Sequence, residues 1–178
     1  MEKTENNVKK LCSFYVSDWH LVTMLLPYIH KSLSEEAKVA TILEKNIQEN
    51  IHILLQRLKL KNEEKILQID WNRTNEKRYT TIAKKIDEAI GENIVIVING
   101  AKQFVNRANE NIEKYIEKNA QKLKENHTHI TIVDCYEIIE FNGSINEILD
   151  KHDKILNTSG EKEIEEVFGE YQRKQKIS

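Results

Sequence analysis

The sequence is poor in residues that break or cross-link a chain: its 178 residues include one proline, five glycines and two cysteines. So few chain breakers argue against a linker-rich protein and favour well-formed helices and strands with short connections. Cys12 and Cys135 form no CxxC pair and no metal-ligand spacing. Two buried thiols in a reducing compartment are therefore expected.

Long apolar runs and an excess of basic charge are also absent. No stretch approaches the ~20 apolar residues that span a bilayer, and residues 1–10 contain no apolar segment of a secretory signal. The formal net charge is −2, whereas a general nucleic-acid binder carries a clear basic excess. We therefore expect a cytoplasmic protein that binds neither membrane nor nucleic acid.

What the sequence does contain is a regular alternation of short apolar runs with helical patterns. The runs predict five strands, at 11–16, 38–43, 65–71, 94–98 and 130–135. Apolar residues spaced by three and four predict helices at 22–33, 47–58, 79–90, 101–123, 145–152 and 164–171. Such alternation predicts right-handed βαβ units in an α/β, three-layer α/β/α domain with a mostly parallel five-stranded central sheet. One domain is expected over 1–178, with flexible tails at 1–10 and 173–178.

Several residues mark the ends of these elements. Ser17 or Asp18 is expected to cap the first helix, and Pro27 to kink it or to mark its real start. Gly91 is suited to end the third helix, and Ser144 to cap a later one. Residues 138–141 predict an extension of the fifth strand or a small extra strand.

A phosphate-binding loop is missing where this fold class would place it. The turn at 16–20 has no glycine and no lysine, and its aspartate would repel an anion. The strand at 94–98 ends in Asn99-Gly100, without the acidic residue that would hold Mg²⁺. A conventional triphosphate site is excluded, no catalytic motif appears, and neither an enzymatic activity nor a cofactor is expected.

Candidate ligand-binding residues lie instead at the predicted strand ends. Trp19 and Trp71 each follow a predicted parallel strand, where open α/β sheets bind ligands and where aromatic side chains commonly line pockets. The alternative is that both rings pack in the core. Arg73 is suited to hold an anionic ligand, or to pair with Asp70 at the surface. Tyr136 ends the fifth strand and is expected to face the same crevice.

The histidines and Cys135 are weaker candidates. His20 has the chemistry of a phospho-acceptor, a metal ligand or a general base, but a polar residue at a helix start is the favoured interpretation. His127 and His129 are interpreted as an exposed entry to the fifth strand instead of a metal pair. Cys135 lacks a nearby base and is interpreted as structural, so no metal site and no catalytic residue is predicted.

Ordered landmarks in the sequence resemble a known family. They are Cys12-Ser13-Phe14-Tyr15-Val16-Ser17, Leu25-Leu26-Pro27-Tyr28-Ile29, Ser32-Leu33, Lys38-Val39, Asp134-Cys135-Tyr136-Glu137, Ile148-Leu149 and His152. Their order and spacing are similar to those of the methanogen/methylotroph, DcmR-type sensory (MEDS) domain. The chain departs from that pattern at Ser32, where glycine is usual, and at Glu137, where aspartate is common.

The resemblance implies a RecA-like or KaiC-like fold with a degenerate phosphate loop and a parallel strand order of 5-1-4-3-2. The crevice would then lie over the first strand, flanked by the fourth and fifth, with these residues nearest: Tyr15, Asp18, Trp19, Asn99 and Tyr136. Members of the family, from bacteria and archaea, are thought to sense small molecules, often hydrocarbon derivatives, in transcription or signalling.

The leading hypothesis is a stand-alone small-molecule sensory domain that signals through a protein partner in trans or as a homodimer. One alternative is a protein-interaction regulator, such as a kinase or sigma-factor switch, without a small ligand. The other is a degenerate RecA-like nucleotide-binding protein. Expected ligand contacts are Tyr15, Asp18, Trp19, His20, Trp71, Arg73, Asn99 and Tyr136.

Overall fold

The computed structural model describes residues 7–74, 79–138 and 145–171, in which strands alternate with helices. The strands in this part of the chain are β1 (Val8–Tyr15), β2 (Lys38–Leu43), β3 (Asn93–Gly100), β4 (His129–Glu137), β5 (Lys154–Asn157) and β6 (Gly160–Lys162). The helices are α1 (Asp18–Ser34), α2 (Gln48–Arg57), α3 (Glu63–Gln68), α4 (Tyr79–Glu88), α5 (Lys102–Lys118), α6 (Ala120–Glu125), α7 (Ile145–Asp150) and α8 (Ile164–Val167).

The six strands form one sheet in the order β2-β3-β4-β1-β5-β6. All neighbouring pairs are parallel except β5 and β6, which form an antiparallel hairpin. The carboxyl ends of the parallel strands therefore share one edge of the sheet, which is where ligands bind in open α/β folds. In the register of β1 and β4, Tyr15 lies beside Glu137.

Helices cover both faces of this sheet. Apolar residues of α1, α2 and α3 pack on one face, which we call the front, and those of α4 to α8 pack on the other, the back. Side chains of β3 alternate between the two: Val95 and Val97 join the front cluster, and Ile94, Ile96 and Ile98 join the back cluster. Burial on both sides explains why the parallel strands are almost continuously apolar.

The predicted strand at 65–71 was wrong. Residues Glu63–Gln68 form α3, and Trp71 follows in an extended segment that packs on the front of the sheet. A short apolar run does not separate a buried strand from a short buried helix. Glu63 and Glu64 in the first turn favour the helix, because carboxylates stabilise helix N-termini.

The hairpin of β5 and β6 was not predicted. Its turn contains Gly160 at φ 102°, a conformation that glycine adopts at little cost. The predicted helix at 101–123 is divided into α5 and α6 by Asn119, whose Nδ2 donates to the carbonyl of Tyr115 at 2.9 Å. The helix predicted at 164–171 ends at Val167.

With six strands in place of five, the predicted strand order needs correction. Read from the hairpin edge, the order is β6-β5-β1-β4-β3-β2. The series 5-1-4-3-2 recurs, but the strands numbered 3, 4 and 5 are not the segments to which the prediction gave those numbers. β1 is flanked on one side by β4, which is the strand predicted at 130–135, as expected. On its other side lies β5 and not the strand at 94–98.

Other predicted boundaries hold. Ser17 caps α1, and Gly91 follows α4 with φ 86°. Helix α1 runs through Pro27 and does not begin there. Predictions for Ser144, for 139–141 and for 172–178 lie outside the described residues. Among the helices that the structure describes, none combines the length and the apolar character needed to cross a bilayer.

Candidate ligand site at the carboxyl ends of β1 and β4

The turn between β1 and α1 is held by its own side chains. Ser17 Oγ accepts a hydrogen bond from the His20 N–H at 3.1 Å, and His20 Nδ1 accepts one from the Val16 N–H at 3.1 Å. Backbone N–H groups of such a turn are those that would wrap a phosphate, and two of them are already bonded here. Asp18 adds a carboxylate to the first turn of the helix. The turn is therefore poorly suited to a triphosphate.

Tyr15, the last residue of β1, places a hydroxyl in the interior at this edge. Its side chain is fully buried in the front cluster, and its Oη has no hydrogen-bond partner among the described residues. Burial is the main cause that raises the pKa of Tyr15 well above its usual value, and Cys135, Glu137, Asp18 and Glu44 raise it further. The hydroxyl is therefore neutral at physiological pH and lies in a negative field.

Glu137, the last residue of β4, provides a second polar atom without a partner. Side chains that are paired in register on parallel strands point to the same face, so Glu137 and Tyr15 both point to the front. Glu137 Oε1 accepts from Lys45 Nζ at 2.5 Å, and the carboxyl group is 12% exposed. Its Oε2 is buried and has no hydrogen-bond partner in the described part of the chain.

Asn99 and Glu44 position Lys45 against this carboxylate. Asn99 Oδ1 accepts from the N–H groups of Glu44 and Lys45, at 2.9 and 3.1 Å. Glu44 Oε1 accepts from the Ala101 N–H at 2.8 Å. A Cβ at Gly100 would lie 2.7 Å from Glu44 Oε1, so this close crossing of the two loops requires glycine. The buried Asn99 amide is thus used to join the ends of β2 and β3.

Exposed apolar side chains surround the same edge. Val16 is 54% exposed, Trp19 48% and Ile138 43%. Val16 and Ile138 directly follow the register pair Tyr15 and Glu137 in the chain, so they lie at the same ends of β1 and β4. An apolar rim around a few convergent polar groups is the usual composition of a small-molecule site.

The structure brings only some of the predicted residues together. Tyr15, Asp18, Trp19 and His20 lie at the end of β1 and the start of α1, and Asn99 lies at the end of β3. Tyr136 points to the back of the sheet, where its ring stacks on Phe14 with centroids 5.8 Å apart. It therefore lies on the opposite face from Tyr15.

Trp71 and Arg73 lie elsewhere. Trp71 is fully buried, and its indole N–H donates to the Ile66 carbonyl at 2.9 Å, so the ring packs in the core. The prediction that Trp71 lines a crevice depended on a strand that does not exist. Arg73 is exposed beside the end of β2, where Thr74 bonds to Leu43. Three strand spacings, about 14 Å, separate β2 from β1.

Sequence reasoning did not select Glu137, Lys45 or Glu44 as site residues. A signal for them exists, because each is a charged residue at the carboxyl end of an apolar strand or within two residues after it. Such positions meet at one sheet edge in a parallel fold. Their pairing depends on strand order, which the sequence did not give correctly.

A second polar cluster is buried behind the sheet. Asp134 Oδ2 lies 2.7 Å from His152 Nε2, Asp134 Oδ1 accepts from Asn109 Nδ2 at 2.8 Å, and His152 Nδ1 lies 2.6 Å from the Ile148 carbonyl. Both ring nitrogens of His152 thus lie within hydrogen-bond distance of oxygen atoms. The cluster joins β4 to α5 and to the end of α7.

The thiols and the remaining histidines show no reactive arrangement. Cys12 and Cys135 are buried thiols, as predicted, and point to opposite faces of the sheet. Burial raises the pKa of Cys135, which keeps it a thiol. His127 and His129 are exposed. No group of three metal-ligating side chains is found within 7–74, 79–138 and 145–171.

The opposite edge of the sheet carries a polar cavity of about 280 Å³, lined in part by Lys9, Tyr28, Lys31 and Glu161. Burial, with a smaller effect of Glu161, raises the pKa of Tyr28 to about 12. Lys9 pairs with Glu161 across this cavity. None of the eight predicted ligand contacts lies there.

Comparisons with known proteins assign no family: no protein-family model matches the chain, and no curated protein sequence matches it.

Proposed function

We propose that this chain is a small-molecule sensory domain of RecA-like topology with a degenerate phosphate loop. Its ligand binds at the carboxyl ends of β1 and β4, and the signal passes to a protein partner or to a second copy of the chain. The observation that carries the proposal is that two buried polar atoms, Tyr15 Oη and Glu137 Oε2, have no hydrogen-bond partner among the described residues, at a sheet edge with exposed apolar side chains.

The energetic argument concerns these two atoms. Folded proteins satisfy nearly all of their buried polar groups, and each one left without a partner costs about 1–3 kcal/mol. A ligand that supplies both partners recovers that cost on binding. The free energy that the two atoms cost the fold is then returned as affinity for the ligand.

The topology of the sheet supports the same location. The connection from β1 to β2 runs through α1 on the front, and the connection from β4 to β5 runs through α7 on the back. Adjacent strands whose connections leave in opposite directions open a crevice between their carboxyl ends. Most landmarks that resemble the MEDS domain fall on β1, α1, β4 and α7, which border this crevice, whereas Lys38-Val39 lies on β2.

Signalling would follow from contacts that differ between the free and the bound state. A ligand beside Tyr15 and Asp18 touches the first turn of α1, which carries the exposed Trp19. Movement of that turn changes the apolar surface formed with Val16 and Ile138, and so changes the affinity for a partner.

Native mass spectrometry of the protein purified from its own cells tests the proposal. We expect a bound small molecule on the wild type and its loss from a Tyr15→Ala, Trp19→Ala double variant that stays folded. Leu67→Ala is the control, because Leu67 is an exposed apolar residue on α3. An unliganded wild type, or a ligand retained by the double variant, would count against the site.

The exposed rim gives one specific reason to keep a second function, a protein-interaction regulator without a small ligand. Val16, Trp19 and Ile138 are three of six large hydrophobic residues exposed in the described part of the chain, and they surround one sheet edge. Recovery of one stoichiometric protein with no small molecule would favour this function. The nucleotide-binding alternative loses support, because the turn at 16–20 bonds to its own side chains.

A further inference from the structure

We infer that the ligand is a small organic cation whose ammonium group sits between Tyr15 Oη and Glu137 Oε2. This inference rests on the proposed function, since it names the chemical class that the same site selects. It is carried by the charges around the two atoms and by the way in which Glu137 already binds an ammonium group.

The charged groups that act on the Tyr15 hydroxyl are negative. Asp18, Glu44 and Glu137 all act on the Tyr15 hydroxyl electrostatically, and Lys45 is the cation that contacts Glu137. A partly buried site strengthens such fields, because water screens them less. Carboxylates and phosphates are repelled by this field, and a cation is attracted.

Lys45 shows the geometry that a ligand ammonium would adopt. Its Nζ donates to Glu137 Oε1 at 2.5 Å, a short charge-assisted hydrogen bond. Glu137 Oε2 is equally capable of accepting a donor, and it is buried without one among the described residues. An ammonium group has three donors, so it can bond to Oε2 and also to the lone pair of the neutral Tyr15 hydroxyl.

A metal ion fits this site less well than an organic cation. Hard cations need six or more oxygen ligands, or several waters in addition to carboxylates. Within the residues that the structure describes, no three metal-ligating side chains converge here. The apolar rim of Val16, Trp19 and Ile138 favours a ligand that carries hydrocarbon next to its charge.

The test is a calorimetric titration of the purified full chain with three probes of equal length: butylammonium, 1-butanol and butyrate. We expect butylammonium to bind at least about tenfold more tightly than the other two, because a charge-assisted hydrogen bond is roughly twice as strong as a neutral one. Glu137→Gln should weaken butylammonium about tenfold, and Tyr15→Phe about threefold to tenfold. Glu117→Gln removes the same charge from an exposed position on α5 and should leave binding unchanged.

The outcomes separate this inference from the proposed function. Equal or tighter binding of 1-butanol or butyrate, weakened by Tyr15→Phe, overturns the ligand class and leaves the site standing. If no probe binds, native mass spectrometry of the protein purified from its own cells decides whether the inference holds. A cation lost in Glu137→Gln supports the inference, a neutral or anionic molecule overturns it, and no bound molecule overturns both.

Discussion

At the scale of single residues, the Tyr15 hydroxyl has an unusual position, because it is fully buried and has no partner in the described part of the chain. Deleting an unpaired buried polar group removes its desolvation cost. We predict that Tyr15→Phe raises the free energy of unfolding by about 1 kcal/mol or more, measured by urea denaturation. Ligand affinity should fall in the same variant.

Tyr171→Phe is the matched control for this prediction. The Tyr171 hydroxyl donates to Asp150 Oδ1 at 2.6 Å, so its loss should destabilise the fold by about 1 kcal/mol. The two identical substitutions should therefore change stability in opposite directions. A loss of stability in Tyr15→Phe would mean that its hydroxyl has a partner, and the argument for an unfilled site would fail.

Alanine substitutions of the two tryptophans should differ in their effect on the free energy of unfolding, measured by urea denaturation. Trp71 is fully buried, and Trp71→Ala should cost about 3–5 kcal/mol, as large aromatic deletions in cores do. Trp19 is 48% exposed, and Trp19→Ala should change stability by only about 0.5 kcal/mol. Similar costs for both would show that Trp19 is covered and does not belong to an open rim.

At the scale of elements, the pair of Asp134 and His152 fixes the end of α7 to β4. Asp134 is fully buried and its two carboxylate oxygens contact Asn109 and His152, so replacing one oxygen leaves a buried polar group without its partner. We predict that Asp134→Asn destabilises the protein by about 1–3 kcal/mol in urea denaturation. Glu147→Gln, at an exposed residue paired with Lys102 at 3.1 Å, should cost less than about 1 kcal/mol.

A double-mutant cycle isolates the interaction itself. With His152→Gln as the second change, residues in direct contact should show a coupling of about 0.5–3 kcal/mol. Additive effects of the two substitutions would contradict the bond of 2.7 Å between them.

Elements with strong local signals could be predicted from the sequence, and short ones could not. β2 was predicted at its observed bounds, and β3 lies where five consecutive apolar residues stand. The structures of 65–71 and 154–162 were not predicted for a shared reason, because the conformation of each segment depends on what it packs against. Ile66 and Trp71 fill the front cluster, and β5 exists because it pairs with β1.

At the scale of the whole molecule, buried tyrosines make stability depend on alkaline pH. Burial is the main cause that raises the pKa of Tyr28 to about 12. Burial and nearby carboxylates also raise the pKa of Tyr15 well above its usual value. A folded pKa above the unfolded value of about 10 gives stability that is complete below pH 10 and is lost as pH rises toward the folded pKa.

We predict that the free energy of unfolding falls above pH 10, by about 1.4 kcal/mol per pH unit for each tyrosine that stays protonated in the fold. Urea denaturation at pH 9, 10 and 11 measures this slope. Tyr28→Phe should reduce this slope. The lysines titrate in both proteins, so their contribution cancels when the slopes of the variant and the wild type are compared. An unchanged slope in that variant would contradict the burial of Tyr28.

The candidate site was predicted only in part, because it is a property of the whole sheet. Local sequence placed Tyr15, Asp18 and Trp19 at the end of the first strand. The resemblance to the MEDS domain placed the strand at 130–135 beside the first strand, and the pairing of β1 with β4 confirms this. The predicted strand ended before Glu137, so the pairing of Tyr15 with Glu137 was not predicted. Tyr136, one residue earlier in β4, points to the other face, since neighbouring residues of a strand alternate.

The most direct test of the site is a crystal structure of the protein purified from its own cells. We predict electron density for a small molecule in contact with both Tyr15 Oη and Glu137 Oε2, beneath Val16 and Trp19. Density for a phosphate group bound by the turn at 16–20 would contradict the account. So would Tyr15 and Glu137 hydrogen-bonded to each other in a closed crevice.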